Sequence, residues 1–158
     1  MEISRKTDYA LRMLSALVEV EGTDNVVSVR EVAEENDIPY SFARSIQHDL
    51  AQAGIVESLR GARGGMKLSV DPKKVSLREL VEAVQGPIII SGCDFNGENG
   101  GICPFLPQCH FNPVWCNAER MLRDYFSSVS LYDVVVKHKM PTISGDFALI
   151  DNGRGSLA

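Results

Sequence analysis

The stretch that decides the fold is residues 28–70, which read SVREVAEENDIPYSFARSIQHDLAQAGIVESLRGARGGMKLSV. Its first four residues have the Ser-x-x-Glu spacing of a capping box, which predicts the start of a short helix. Residues 36–39, Asn-Asp-Ile-Pro, predict a turn, because the residue before a proline is driven out of the helical conformation. A helical pattern resumes over residues 40–53 and ends at Gly54. The sequence therefore predicts a helix, a turn and a second helix in succession.

Two short apolar runs follow these helices. Residues 55–59 and 66–70 carry apolar side chains at alternate or nearly alternate positions, which is typical of β-strands. The linker between them, residues 60–65, contains the glycines that a hairpin needs for positive φ. The two runs are therefore predicted to form a β-hairpin.

Helices are also predicted on both sides of this stretch. Residues 3–20 carry apolar side chains at spacings of three, four and seven, which predicts an amphipathic first helix. The stripe consists of Ile3, Ala10, Leu14, Leu17 and Val18. A second Ser-x-x-Glu box at residues 76–79 opens a helix that runs to Gln85. Three helices and a glycine-tipped hairpin are the order of a winged helix-turn-helix, so residues 1–86 are predicted to be such a domain, mainly α with a small β-hairpin wing.

A winged helix-turn-helix binds duplex DNA with the helix after the turn and with the wing. The net charge of −5 argues against a protein that coats nucleic acid through its overall charge. The segment from Arg60 to Arg78, however, contains six basic residues and only one acid, Asp71. The wing is therefore predicted to carry a local basic patch that can contact DNA phosphates. Arg44 is the predicted base reader, since its fork can pair with guanine; the alternative is that it only solvates an exposed face. Phe42, Ile46 and Leu50 are expected to form the buried face of this helix. The candidate DNA-binding residues are Ser28, Ser41, Arg44, Ser45, His48, Arg60, Gly61 and Arg63.

Three further segments follow the domain. Residues 87–112 are rich in Gly, Asn, Pro and Cys and show no helical or strand period, which predicts an irregular loop. Residues 113–138 repeat apolar side chains at three and four, which predicts a long amphipathic helix and a short terminal one. This apolar stripe favours a symmetric homodimer over packing within one chain, so the long helix is predicted to be a dimerisation helix. Residues 139–158 are expected to form a mobile tail.

All four cysteines lie close together, at Cys93, Cys103, Cys109 and Cys116. No segment has the length and apolarity of a membrane span or a secretory signal, so a cytoplasmic location with no membrane partner is expected. In a reducing compartment such cysteines are more often a metal or redox site than a disulfide framework. The first three can converge on one soft metal centre, either an iron–sulfur cluster or zinc. The spacings of ten, six and seven lack the tight pair of a zinc ribbon. Structural zinc is therefore the second interpretation and a thiol–disulfide switch the third.

Nothing in the sequence indicates an enzyme. No paired carboxylates flank a plausible cleft, no nucleophile has an evident base, and the glycines of residues 60–65 lack the Lys-Ser ending of a phosphate loop. The residues alone therefore favour a DNA-binding regulator controlled by a metal or redox centre. Two alternatives stay open: a zinc-stabilised or thiol-switch regulator of the same fold, and a small iron–sulfur redox protein.

Several segments together resemble one family. Residues 1–12, the helix pair through residues 38–41, the wing at residues 56–65 and the first three cysteines are similar to the IscR/NsrR-type bacterial winged-helix repressors. The resemblance covers about the first 138 residues. It implies a homodimer with a long dimerisation helix. It also implies an iron–sulfur cluster that controls operator affinity and senses nitric oxide, redox state or iron–sulfur status.

The resemblance also suggests a fourth cluster ligand. In the iron–sulfur-biogenesis branch a histidine follows the third cysteine by three residues, and here that position is Asn112, a poor ligand for iron. In the nitric-oxide-sensing branch an aspartate of the partner subunit completes a 4Fe-4S cluster, and Asp8 stands in the matching place. Asp8 of the partner subunit is therefore the expected fourth ligand, with Cys116 as a competitor and His110 as a weaker one. The gap from Cys93 to Cys103 is longer than the family leads us to expect, so a 2Fe-2S cluster stays open beside the favoured 4Fe-4S cluster.

Overall fold

The computed structural model describes residues 2–19, 26–61, 64–91, 105 and 108–138. These residues form six helices and one antiparallel hairpin: α1 (Arg5–Glu19), α2 (Val29–Glu35), α3 (Tyr40–Gln52), β1 (Val56–Leu59), β2 (Gly65–Leu68), α4 (Leu77–Gln85), α5 (Asn112–Ser128) and α6 (Leu131–Val135). The order confirms the predicted fold class, a helix-turn-helix followed by a β-hairpin wing. Among the described residues, no helix is long and apolar enough to cross a membrane.

Side-chain hydrogen bonds fix where two of the helices begin. At α4 the predicted box is complete: Glu79 Oε2 accepts from the Ser76 amide at 2.7 Å, and Ser76 Oγ accepts from the Glu79 amide at 3.3 Å. The bonds from Ser76 stabilise the carboxylate and lower the pKa of Glu79 below its ordinary value. At α2, Ser28 Oγ accepts from the Glu31 amide at 3.4 Å, which is the serine half of the first predicted box. Both helices therefore begin where the sequence predicts.

The first helix begins later than its apolar pattern suggests. Ser4 Oγ accepts from the Thr7 amide at 3.1 Å, so α1 is capped by Ser4 and begins at Arg5. Ile3 therefore precedes the helix, and it is 45% exposed. The prediction that Ile3 belongs to the buried stripe is wrong for this reason.

One core joins α1, α2, α3, the hairpin and α4. Its fully buried side chains include Met13, Leu14, Ile46, Leu50, Met66 and Leu80. On α3 the buried positions are Ala43, Ile46, Gln47 and Leu50. The prediction that Phe42 lies on this face is wrong, because the buried positions centre further along the helix. Phe42 is 44% exposed, and its ring meets that of Tyr9 edge-on at 5.9 Å.

The long helix α5 packs against α4 of the same chain on one side. Arg123 Nη2 donates to the Ile88 carbonyl at 3.0 Å, and Glu119 Oε2 accepts from the Ile90 amide at 3.1 Å. The two side chains also form an ion pair at 2.9 Å. Residues 88–90, which follow α4, are therefore fastened to the middle of α5. Beyond α5, the Leu131 amide donates to the Val75 carbonyl at 3.1 Å, which joins α6 to the core.

Candidate DNA-binding surface and cysteine region

The wing is a two-stranded antiparallel hairpin formed by β1 and β2. Val56 lies opposite Leu68 at its base, and Leu59 lies opposite Gly65 at its outer end. The candidate residues Arg60 and Gly61 are exposed at this outer end, and Gly61 has a φ of +113°. Such a φ is in the region that favours glycine. The third candidate of the wing, Arg63, lies outside the described residues.

Gly64 and Gly65 are needed for close backbone packing, whereas the sequence predicts that the linker glycines supply positive φ. Among the described glycines of the linker, only Gly61 has a positive φ. A Cβ atom on Gly65 would lie 2.2 Å from the Val27 carbonyl oxygen, and one on Gly64 would lie 2.6 Å from the Leu59 carbonyl oxygen. Both glycines therefore allow close approach of protein backbone to protein backbone.

The close approach joins the wing to the segment that leads into α2. The Val27 amide donates to the Met66 carbonyl at 2.9 Å, and the Met66 amide donates to the Val27 carbonyl at 2.9 Å. A side chain at Gly65 would separate these two partners. The position of the wing relative to the helix-turn-helix thus depends on a glycine at this point.

The helix after the turn, α3, presents its predicted polar residues to solvent. Ser41, Arg44, Ser45 and His48 are all exposed, while the opposite side of α3 is buried in the core. The structure therefore places these four candidates on one accessible surface, as a base-reading helix requires. Ser28 is half-buried, and its hydroxyl is engaged in capping α2. Its role in DNA binding stays a prediction.

A buried glutamine that the sequence analysis did not select lies beneath this surface. Gln47 is 5% exposed, and its Oε1 atom accepts a hydrogen bond from Arg44 Nη1 at 2.9 Å. Its Nε2 atom donates to the Gly65 carbonyl at 3.3 Å. Gln47 therefore contacts both the predicted base reader and the wing. The only signal in the sequence is a polar residue that shares the helix face of Ile46 and Leu50.

A second group that the sequence analysis missed lies beside the turn. The Arg30 guanidinium on α2 lies 5.0 Å from the centroid of the Tyr40 ring, at the start of α3. Both side chains are exposed. A cation beside the first turn of the reading helix adds positive charge where the DNA backbone passes in a helix-turn-helix complex.

Arg44→Ala is expected to weaken binding to a preferred duplex by about 5- to 150-fold. This range corresponds to the loss of one bidentate base contact, which contributes about 1–3 kcal/mol. Binding to unrelated duplexes should change little, because base contacts supply specificity and phosphate contacts supply general affinity. Arg63→Ala is expected to weaken binding to all duplexes. Titrations by fluorescence anisotropy at fixed salt would measure both effects. The control is Gln52→Ala at the exposed end of α3, and unchanged specificity in Arg44→Ala would contradict the assignment.

The structure describes only part of the cysteine region. Cys93 and Cys103 lie outside the described residues. Cys109 is half-buried just ahead of α5, Cys116 is half-buried on α5, and no disulfide joins them. His110 is exposed between Cys109 and the helix. Among the described residues, no three His, Cys, Asp or Glu side chains lie together in an arrangement that could hold a metal ion.

Asn112 occupies the position where one branch of the resembling family has a histidine. It is the first residue of α5 and is 9% exposed. Its Nδ2 atom has no hydrogen-bond partner among the described residues. A buried amide without an acceptor is unfavourable, so its partner is expected to come from a group that approaches this end of α5.

Asp8 lies on the exposed side of α1, near its start. Its carboxylate forms an ion pair with Arg12 Nη2 at 2.7 Å, one helical turn away. Next to it, Thr7 Oγ1 donates to Gln85 Oε1 at 2.6 Å. Since Gln85 is the last residue of α4, the start of α1 is tied to the point where the chain leaves for the cysteine region. Among the described residues, Asp8 does not belong to any group of three or more His, Cys, Asp or Glu side chains that could hold a metal ion.

The exposed face of α3 and the wing beside it define a winged helix-turn-helix protein. The sequence profile of the Rrf2 family, described as an iron-dependent transcriptional regulator, matches residues 3–137. The chain therefore belongs to the Rrf2 family, and it is a transcriptional regulator. This assignment confirms the resemblance to IscR/NsrR-type regulators.

Individual relatives agree with the family assignment. The chain is similar to the HTH-type transcriptional repressor NsrR of Streptomyces coelicolor, with 30% identity over 92% of this chain and 95% of the relative. It is also 30% identical to the transcriptional regulator NsrR of Bacillus subtilis, over 72% of this chain and 76% of the relative. A solved structure, that of a transcriptional regulator from Listeria innocua, matches with a TM-score of 0.70 and 26% identity over 92% of this chain and 93% of the other. CymR, the global cysteine regulator of B. subtilis, shares the fold with a TM-score of 0.68, 22% identity, and coverage of 88% of this chain and 98% of the other.

Proposed function

We propose that this Rrf2-family protein is a homodimeric repressor whose affinity for a DNA operator is controlled by an iron–sulfur cluster that senses nitric oxide, redox state or iron–sulfur status. The observation that carries the proposal is the match of residues 3–137 to a family described as iron-dependent, in a chain with four cysteines within one short stretch. The family assignment favours a regulator over a small iron–sulfur redox protein, because such a carrier needs no helix-turn-helix.

The proposed homodimer is supported by the free side of α5. Val114 is 52% exposed, Trp115 is 42% exposed and Met121 is 38% exposed, although all three are large apolar side chains. Val114 and Met121 lie on one side of α5, while the side chains of Glu119 and Arg123 hold a different side of the helix against residues 88–90. An exposed apolar strip on a long helix is typically covered by a second subunit. The proposed partner for this strip is α5 of a second copy of the chain.

The residues proposed to hold the cluster are Cys93, Cys103 and Cys109, with Asp8 of the partner subunit as the fourth ligand and Cys116 as its competitor. Thiolates are the usual ligands of iron–sulfur clusters. Two observations in the described part of the chain are compatible with such a group: no disulfide joins Cys109 to Cys116, and the buried Nδ2 atom of Asn112 has no hydrogen-bond acceptor there. Sulfur atoms of a cluster accept hydrogen bonds of this kind. When bound, the cluster would supply a redox-active centre, and a carboxylate ligand such as Asp8 would bind iron less tightly than a thiolate does.

The chain's own contacts can carry a change at Asp8 to the DNA-binding helix. On α1, Lys6 forms an ion pair with Asp49 of α3 at 2.5 Å. One residue beyond Asp8, the ring of Tyr9 packs against that of Phe42 of α3. Asp8 therefore lies between two α1 residues that touch α3. If Asp8 were a ligand of the cluster, its carboxylate would leave Arg12, and a shift of α1 would then reach α3 through these contacts.

Anaerobic purification followed by spectroscopy and DNA titration tests the proposal. We expect visible absorbance, stoichiometric iron, the mass of a dimer, and an affinity for the protein's own promoter region that changes by about 5- to 150-fold when iron is removed, the range of typical coupling energies. Colourless protein that contains zinc and binds DNA equally well would support the zinc-stabilised regulator. Iron-free protein whose binding responds to thiol oxidants would support the thiol switch.

A further inference from the structure

We infer that Gln47 is a positioning residue for DNA recognition: its buried amide aims Arg44 at the bases and locks the wing to α3. The inference rests on the proposed DNA-reading role of α3, and it adds a residue that does not touch DNA. Gln47 is 5% exposed, and it lies on the core side of the helix with Ile46 and Leu50. A buried polar side chain is stable only when its hydrogen bonds are made.

Both ends of the Gln47 amide are used, and only one orientation satisfies them. Arginine has donors and no acceptor, so the oxygen Oε1 must face Arg44, with which it forms a hydrogen bond of 2.9 Å. The Gly65 carbonyl has no donor, so the nitrogen Nε2 must face it, at 3.3 Å. A carboxylate at this position could accept from Arg44 but could not donate to Gly65. An apolar side chain could do neither.

The wing end of this link is fixed by backbone packing. Gly65 is the first residue of β2 and pairs with Leu59, directly before Arg60 of the wing tip. The same residue is held against Val27, where a side chain has no room. Its carbonyl is therefore a rigid acceptor, and Gln47 joins the reading helix to that point. The helix and the wing are thus coupled through one amide.

The other end of the link limits the freedom of Arg44. An exposed arginine samples many rotamers, and holding it in one direction before binding reduces the entropy lost on binding. The bond to Gln47 occupies one hydrogen of Nη1 and leaves the other guanidinium N–H groups to reach a base edge. Gln47 therefore favours a single direction of approach. A fixed direction of the guanidinium determines which base pair Arg44 can contact.

The test is a double-mutant cycle on the full-length protein. A duplex selected by the wild-type protein from a random library, and an unrelated duplex of equal length, serve as probes. The measured quantity is the specificity ratio, which is the Kd for the unrelated duplex divided by the Kd for the selected duplex. Gln47→Met, which keeps the length and burial of the side chain, is expected to reduce this ratio about 5- to 20-fold, within the range of one lost base contact. In an Arg44→Ala background the same substitution is expected to change the ratio less than about twofold, because coupled residues are non-additive.

A second variant separates positioning from folding. Gln47→Glu keeps the acceptor for Arg44 and loses the donor to Gly65, so it is expected to retain most of the specificity while lowering the Tm. Full specificity in Gln47→Met, or equal losses with and without Arg44, overturns the inference while leaving the proposed function intact. A wild-type protein that selects no duplex overturns the proposed function, and the inference falls with it.

Discussion

Gly65→Ala is expected to abolish specific DNA binding and to lower the Tm by about 6–12 °C, which corresponds to about 3 kcal/mol of folding free energy for a protein of this size. The new methyl group would lie 2.2 Å from the Val27 carbonyl oxygen, well inside van der Waals contact. The nearest atoms belong to the Val27 backbone, so no side-chain rotation can relieve the overlap. Strand β2 and the segment before α2 must separate.

Separation breaks contacts on both sides of Gly65. The paired hydrogen bonds between Val27 and Met66, both 2.9 Å, are lost or lengthened. The Gly65 carbonyl also moves away from Nε2 of Gln47. Met66 is completely buried, so its displacement disturbs the core as well as the wing. The effect on DNA binding is therefore expected to exceed that of any substitution at the exposed wing tip.

Gly54→Ala is the matched control, because it makes the same chemical change in open space. Among the described residues, apart from its own chain neighbours, no atom lies within 4 Å of the added Cβ at Gly54, so the φ of +72° is what opposes an alanine there. This backbone strain costs roughly 1–2 kcal/mol. Thermal unfolding by circular dichroism and a gel-shift assay would compare the two variants. Equal Tm values, or normal DNA retention by Gly65→Ala, would contradict the role assigned to the close approach.

The elements of the DNA-binding domain could be predicted because their signals are local. The turn at Pro39 and the capping box of Ser76 and Glu79 depend on residues within four positions of one another, and the structure places both as expected. The sequence predicts Phe42 on the buried face because it lies four residues before Ile46, a spacing that fits a helical stripe. The observed buried face is centred nearer Gln47, which leaves Phe42 exposed. Periodicity alone does not fix the phase of a short amphipathic helix to within one residue.

The connections between elements could not be predicted, because they join residues that are distant in sequence. The glycines before Met66 look like turn residues, and only the packing of Val27 shows why Gly65 has no side chain. The role of Gln47 likewise depends on Gly65, which lies 18 residues away. The cluster ligands are a different case, since Cys93 and Cys103 lie outside the described residues. Their assignment stays a prediction for experiment.

Cys109→Ser is expected to reduce the iron content and the visible absorbance of anaerobically purified protein to background, because a serine hydroxyl is a poor substitute for a thiolate ligand. DNA binding by this variant should match that of the iron-free wild-type protein. Retention of full iron content would exclude Cys109 as a ligand.

The fourth ligand is decided by comparing Asp8→Ala with Cys116→Ser. If Asp8 is the ligand, Asp8→Ala should destabilise or change the bound cluster, while Cys116→Ser should keep the wild-type spectrum. The opposite pattern would transfer the assignment to Cys116. Because Asp8 also pairs with Arg12, a structural effect must be separated from a ligand effect.

Arg12→Ala provides that separation, since it removes the same ion pair and leaves the carboxylate in place. The pair is exposed, so its loss is expected to change the folding free energy by no more than about 1 kcal/mol in either variant. Similar Tm values together with iron loss in Asp8→Ala alone would identify the carboxylate as a ligand. Equal iron loss in Arg12→Ala would instead show that α1 must keep its ion pair for the cluster to bind. In that case Asp8 acts by holding the helix, and the fourth ligand must come from another residue.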